Sequence, residues 1–227
     1  ISEGRIVKVR FPNQFWAKFQ AIEYMRSFIL GRMAWSRING LIIISGAFGM
    51  FSRQRVVEVG GYDKTTVGED LELVVRLRKY MCEIGQKNYR VSFIPDPLCW
   101  TEVPTTFRIL SRQRNRWTRG GIDTILKHRR MFLNPRYGII GMLSFPYWVI
   151  FEWITPIMQV FCLLYLLFVI AVGAINMPIF WMFTVFSVAF SVLYTSAAVF
   201  LDSRTYNCFT VLRYLCEVFF FIFFEIF

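Results

Sequence analysis

Histidine, paired cysteines and, over its second half, charge are what this 227-residue chain has least of. Five cysteines (Cys82, Cys99, Cys162, Cys208 and Cys216) lie scattered with no C-x-x-C among them. That excludes the usual zinc spacing and a disulfide framework, and it fits a reducing compartment. The single histidine, His128, sits in a basic stretch and is expected to be solvated. No methionine opens the chain at Ile1, and no signal-peptide pattern of charge followed by an apolar stretch is present there. The far end falls inside an apolar run, Phe219 to Phe227, without a polar flank. Both ends therefore read as cuts within a longer protein.

Charge nearly vanishes after Arg136. Residues 1–135 hold 23 of the 26 Lys and Arg and 11 of the 15 acidic residues, whereas 136–227 hold three Arg and four acidic residues. Hydrophobic content of 56% and aromatic content of 19% exceed the soluble norm, and the excess lies in that second part. A basic domain beside apolar helices points to a membrane surface or an anionic substrate. Nucleic acid is excluded as a partner, since no recognition motif accompanies the charge.

Ile157 to Ile175 supplies 19 residues without a charge and Met177 to Leu201 supplies 25. A bilayer core needs about 20 apolar residues in a helix. Only Asn176 separates the two runs, and Pro178 follows, so a hairpin of spanning helices is expected. Arg129, Arg130 and Arg136 precede the hairpin and Arg204 follows it, while the turn has no basic residue. Both outer flanks are therefore read as cytoplasmic. A partial third span is read over 212–227, where Arg213, Glu217 and Glu225 would face other helices. Gly138 to Phe151 is apolar but short, and Arg136 and Glu152 bound it. It reads as an interfacial or re-entrant helix, with one long kinked helix over 139–175 as the alternative.

Ahead of Arg136, residues 14–39 mix aromatic and basic side chains as a helix against the membrane or in solvent would. Leu41 to Ile44 reads as a short buried strand. Ser45-Gly46-Ala47-Phe48 follows, small enough for the backbone to approach something closely. Gly60-Gly61-Tyr62-Asp63 reads as a turn. Gly68-Glu69-Asp70 opens a helix with Leu71, Val74, Val75, Leu77 and Met81 inward, ending near Gly85. Arg90 to Ile94 reads as a strand stopped by Pro95-Asp96-Pro97. A long basic helix is expected from Thr105 to about Gly120, with a further helical stretch to Arg130.

Two features carry chemistry. Acidic residues such as Glu69 and Asp70 are favoured in a first helical turn by the helix dipole alone, yet a carboxylate fixed there is also placed to take a proton from a hydroxyl. In Gln113-Arg114-Asn115-Arg116-Trp117, the amide of Gln113, the guanidinium of Arg116 and the indole of Trp117 share one helical face. Arginine grips phosphate oxygens in a fork, and an indole offers a flat surface for a sugar ring. A basic helix lying on anionic lipid is the competing account.

Taken together and in this order, Ser45-Gly46-Ala47-Phe48, Gly60-Gly61-Tyr62-Asp63, Gly68-Glu69-Asp70, Gln113 to Trp117 and the apolar helices resemble the processive family 2 glycosyltransferases. These include bacterial cellulose, hyaluronan, chitin and poly-N-acetylglucosamine synthases. The resemblance covers essentially the whole chain. It implies the C-terminal part of a GT-A-type α/β domain over 1–135, then interface helices and a transmembrane helix bundle over 136–227. By resemblance, Asp70 is the general base toward the acceptor hydroxyl, supported by Glu69. Gln113, Arg114 and Arg116 contact the donor diphosphate, Trp117 holds the terminal acceptor sugar, and Ser45 to Phe48 floor the acceptor site.

The implied reaction moves a hexose or N-acetylhexosamine from a nucleotide sugar, expected to be UDP-linked, to a growing polysaccharide. A divalent metal, Mg or Mn, is implied, but its Asp-x-Asp ligands are not in this chain: the aspartates are 63, 70, 96, 123 and 202. The chain on its own is therefore expected to be inactive. Implied partners are the donor, the polysaccharide acceptor, the lipid bilayer and accessory export subunits, in a multi-pass protein of a bacterial inner membrane. Gly68 stands where cellulose synthases commonly carry threonine, which disfavours cellulose as product. A single-addition membrane glycosyltransferase and a non-enzymatic scaffold binding anionic lipid are the competing readings.

Overall fold

The computed structural model describes residues 2–6, 16, 20, 23–24, 26–86, 88–99 and 104–201. Three strands form one sheet in the order β2-β1-β3. β1 (Ser2–Ile6) pairs antiparallel with β2 (Gly49–Met50) and parallel with β3 (Ser92–Cys99). β3 thus runs through Pro95 and Pro97, beyond the expected stop. It is an edge strand among the described residues, where a missing N–H is tolerated. The β1–β3 register shifts on both sides of Arg5, whose partner is Pro97.

The expected strand over Leu41 to Ile44 has Leu41, Ile42 and Ile44 buried but no regular secondary structure, and it joins no ladder among the described residues. Side chains take the place of a ladder there. Arg78 Nε donates to the Leu41 carbonyl at 2.9 Å, and Arg78 Nη1 donates to the Asn39 carbonyl at 2.9 Å. Asn39 holds a left-handed φ of 53°, which asparagine tolerates, and its Oδ1 accepts from the Val91 N–H at 3.2 Å.

Of the expected helix over 14–39, every described residue up to Arg37 is helical, with a π-helical stretch over Arg26–Arg32 before Met33–Arg37. A short helix not anticipated from sequence, Arg53–Glu58, precedes the glycine turn. The helix Glu69–Glu83 lies between two apolar clusters. Val74 packs with Phe28, Leu41, Ile44, Val91 and Phe93, while Val75 packs with Ile42, Met131, Tyr137, Ile140, Phe145 and Trp148. The helix Phe107–His128 is continuous through Gly120 and Gly121, capped where the Thr106 hydroxyl accepts from the Ile109 N–H at 3.4 Å.

The apolar part holds two helices long and apolar enough to cross a membrane, Ile140–Ala171 and Met177–Ala198. The stretch expected as a separate interfacial helix is joined to the following one in a single 32-residue run. At 1.5 Å per residue this run is about 48 Å long, well beyond a core of about 30 Å. The surplus is at its beginning, where Ile140, Phe145 and Trp148 are buried against the soluble core, whereas Thr155–Ala171 has no buried residue. The run therefore begins within the packed core and continues as an unburied apolar helix. Gly173 takes a φ of +70° in the connecting turn, and Asn176 Oδ1 caps the second helix by accepting from Ile179 N–H at 3.2 Å. The candidate span over 212–227 lies outside the described residues.

Candidate active site

Asp70 lies in the first turn of Glu69–Glu83, half-buried, and Glu69 beside it is exposed. Gly68 caps this helix without a side-chain bond. The Asp70 carboxylate rests on Gly46: a Cβ built there would sit 2.6 Å from Asp70 Oδ2 and 3.2 Å from Cγ. This is the close approach that the small residues after Ile44 permit, since any larger residue at 46 would displace the acid. Ser45 and Phe48 are half-buried alongside, and Ala47 is exposed.

The second wall comes from Phe107–His128. Trp117 is 41% exposed. It stacks against Tyr24, with ring centroids 6.4 Å apart and planes at 23°, and Arg114 Cζ sits 4.9 Å from its ring centre. Arg114 also pairs with Glu23. Gln113 accepts from Gln20 Nε2 at 2.8 Å, and the same Gln20 amide donates to the Tyr24 hydroxyl at 3.1 Å. Burial and the neighbouring Glu23 carboxylate push that hydroxyl up from its ordinary pKa. Gln113 and Arg114 are thus engaged with the preceding helix. Arg116 is exposed, with no hydrogen bond or ion pair to a described residue.

The two walls meet at a pair of glycines. A Cβ at Gly68 would lie 2.9 Å from Gly120 Cα, and one at Gly120 would lie 2.7 Å from Gly68 Cα and N. This crossing is two residues before Asp70 and three after Trp117. With 3.8 Å between consecutive Cα atoms and 1.5 Å of rise per helical residue, the Asp70 and Trp117 backbones are therefore no more than about 17 Å apart. Gly121, next along, lies 3.5 Å (from a built Cβ) from Trp153 Nε1 and 3.6 Å from Trp148, so the same helix docks on the start of the membrane run.

Behind the crossing is a polar cluster that sequence reasoning missed. His128 is not solvated but buried at 4% exposure, with Nε2 3.0 Å from Glu72 Oε1. Glu72 is itself fully buried. Its Oε2 accepts from Arg76 Nε at 3.1 Å and pairs with Arg76 Nη2 at 2.9 Å, and Lys127 Nζ is 3.4 Å from Oε1. Burial alone raises the Glu72 carboxyl, but the bonds from His128 and Arg76 and the charges of Arg76 and Lys127 bring it below its usual range. Arg76 also donates to the carbonyls of Val59 and Gly61, and Lys127 pairs with Asp63. Asp63 in turn accepts from Thr65 N–H at 2.9 Å and from its hydroxyl at 2.7 Å. Hydrogen bonds from Lys127 and Thr65 hold the Asp63 carboxyl far below its ordinary range. The only sequence signal for this cluster was a glutamate and an arginine four apart on a helix, set among apolar positions.

Among the described residues, no three His, Cys, Asp or Glu side chains converge on a point where a metal ion could sit. Glu69 and Asp70 alone do not make such a site.

Poly-beta-1,6-N-acetyl-D-glucosamine synthase of Staphylococcus aureus (strain COL) is 28% identical to this chain over 158 residues, which is 69% of the chain and 35% of that protein. The synthase of the same name from Staphylococcus epidermidis (strain ATCC 35984) is 28% identical over 207 residues, 87% of the chain and 47% of that protein. The chain therefore spans between a third and a half of the length of these curated relatives. No solved structure matches it significantly. The family described as glycosyl transferase family group 2 matches residues 6–201, and with nearly the whole described length covered, the chain belongs to that family.

Proposed function

We propose that this chain is the acceptor-side part of a membrane-integrated, inverting glycosyltransferase that extends a polysaccharide from a nucleotide sugar, with N-acetylhexosamine the first donor to test. The observation that supports this is the glycine crossing: Gly68, two residues before Asp70, touches Gly120, three residues after Trp117, and the next glycine meets the start of a helix long and apolar enough to span a bilayer. The likeness to two synthases of poly-N-acetylglucosamine supports the donor class.

In this reading the terminal sugar of the acceptor lies on the exposed part of the Trp117 indole. Its hydroxyl gives its proton to Asp70 while the oxygen attacks the anomeric carbon of the donor from the side opposite the diphosphate. The bond from that carbon to the phosphate oxygen breaks, the pair stays on the nucleoside diphosphate, and the anomeric centre inverts. Arg116, exposed and uncommitted to other described residues, is the guanidinium offered to the developing diphosphate charge. Gln113 and Arg114 act from the rear, fixing Trp117 through Gln20, Glu23 and Tyr24. Ser45 to Phe48 form the floor, with Gly46 seating Asp70. A divalent metal held outside the described residues would supply further charge at the diphosphate.

Residues 1–135 form the cytoplasmic part of this arrangement and 136–227 the membrane part, with the turn at Asn176 on the far side and the product leaving along the membrane helices. The test uses the full-length protein in lipid nanodiscs, with UDP-N-acetylglucosamine as donor. Asp70→Asn should lower nucleotide release by about a thousandfold or more with the melting temperature unchanged. Retained turnover would sink the assignment, and a product one sugar longer than the acceptor would replace polymerisation with single addition.

A further inference from the structure

Asp70 occupies a helical turn that is poorly held by local means. Gly68 gives no side-chain cap, Glu69 is exposed, and helix ends fray. The contact of Gly68 on Gly120 and the packing of Leu71 and Ile125 on one apolar cluster join the two helices, but none of these contacts is directional. Glu72 with His128 adds a directional polar attachment between them. Glu72 lies four residues past Gly68 and His128 eight past Gly120, so the two attachments are about 6 Å apart along one helix and 12 Å along the other. Glu72 and His128 are also both buried, where an unpaired polar group is costly enough to hold a geometry.

The same carboxylate governs the loop that delivers the acid. Arg76, held by Glu72, grips the carbonyls of Val59 and Gly61, and Lys127, held by Glu72 and Asp63, ties Asp63 to the other helix. Gly60 and Gly61 take φ values of 87° and 75°, so this loop has the freedom of two left-handed glycines unless it is tied. Two side-chain ties from the glycine turn to these helices, through Arg76 and through Lys127, therefore meet at Glu72.

We infer that Glu72 and His128, with Lys127 and Asp63 at the rim, are positioning residues that set the angle between the helix bearing Asp70 and the helix bearing Trp117. This inference rests on the reading of Asp70 and Trp117 given above. Neither Glu72 nor His128 touches the substrate. Removing the Glu72 charge leaves Arg76 without its carboxylate partner and Lys127 held by Asp63 alone, and it weakens the bond to His128, so the helices part at that end.

The experiment measures kcat and KM for UDP-N-acetylglucosamine in the full-length protein in nanodiscs, with melting temperature determined alongside. Glu72→Gln and His128→Ala should each lower kcat about five- to tenfold while the donor KM stays within about twofold, because misalignment acts on the chemical step. The double variant should be no slower than the slower single one, since both break one contact. His128→Gln, which keeps an N–H toward Glu72, should recover most of the loss. Lys127→Met alters an exposed side chain and provides a folded variant if the buried ones unfold; about a threefold loss of kcat is expected from it. Wild-type kcat in any of the folded variants overturns the inference. If Asp70→Asn is inactive while these variants keep full kcat, only the positioning role falls. If Asp70→Asn is itself active, the reading of the site falls and this inference with it.

Discussion

Gly120→Ala is a single added methyl group whose effect can be worked out beforehand. Its Cβ would sit 2.7 Å from Gly68 Cα and N and 3.3 Å from the Val67 carbonyl carbon, all backbone atoms that no rotamer change can move aside. Carbon atoms prefer about 3.5–4.0 Å, so the two helices must separate by about 1 Å. Overpacking of this kind costs about 1–3 kcal/mol, too little to unfold an otherwise sound domain. A displacement of about 1 Å between a base and the group that orients its substrate costs about a hundredfold in rate. Stability and turnover should therefore separate, with a modest fall in melting temperature and a large fall in kcat.

The neighbouring glycine is the control. A Cβ at Gly121 meets nothing closer than Trp153 Nε1 at 3.5 Å, an ordinary contact, so Gly121→Ala should leave kcat within about twofold. Both variants would be made in the full-length protein and assayed in nanodiscs by nucleotide release from UDP-N-acetylglucosamine, with thermal melts on the same samples. If Gly120→Ala matches Gly121→Ala in rate, the glycine crossing does not set the distance between Asp70 and Trp117.

Trp117→Ala should lower kcat/KM for an oligosaccharide acceptor about tenfold while the donor KM changes little, since the indole face serves the sugar; steady-state kinetics with varied acceptor decides it. Arg78→Met should destabilise by about 2–4 kcal/mol in denaturant melts, because the carbonyls of Leu41 and Asn39 lose a buried donor. The Glu72 carboxyl lies below its usual range, so its stabilisation is present above the unfolded value near about 4.3 and is lost as pH falls through the folded value. The wild-type melting temperature should accordingly hold from neutral pH to about 5 and drop below about 4, and Glu72→Gln should reduce that drop.

The apolar spacing of Glu69–Glu83, the glycine turn, the basic helix and the apolar runs were all legible in the sequence, because each is a local pattern of a known period or residue type. The small residues around Gly46 announced a close approach without saying to what. The misread parts share a different cause. Leu41 to Ile44 has the composition of a strand, but a guanidinium 37 residues away takes the carbonyl a ladder would use. β3 was expected to end at Pro95, because proline is a local stop signal, and edge position in a sheet is not a local property. His128 reads as solvated beside Lys127, Arg129 and Arg130, and only the burial of Glu72, 56 residues earlier, turns it inward. Apolar periodicity reports which face is buried; it is silent on polar residues that accompany that face when their partners lie on another helix.

The long run from Ile140 bears on how the site and the bilayer are related. Its first third is part of the soluble core through Phe145 and Trp148, and Trp153 lies against Gly121, one residue past the crossing. On the far side, Arg26 Nε donates to Thr195 Oγ1 at 2.7 Å, near the end of the second apolar helix, and that hydroxyl donates on to the Ser191 carbonyl at 2.7 Å. The helical segment holding Trp117 through Tyr24 is thus tied to one apolar helix, and the helix carrying Trp117 is docked on the other. A guanidinium this close to an apolar helix is retained only where it has a polar partner, since an unpaired one in lipid is costly. The helix bearing Asp70 rests on the same long run, where Val75 and Leu71 pack with Ile140, Phe145 and Trp148, so the Arg26–Thr195 bond is the one of these attachments confined to the indole side. Under the proposed function, the Arg26–Thr195 bond steadies the acceptor end, which is the end a growing chain must hold in register with its exit; Arg26→Met should then shorten the polymer without changing the rate of nucleotide release, and a slower release with polymer length preserved would refute that role.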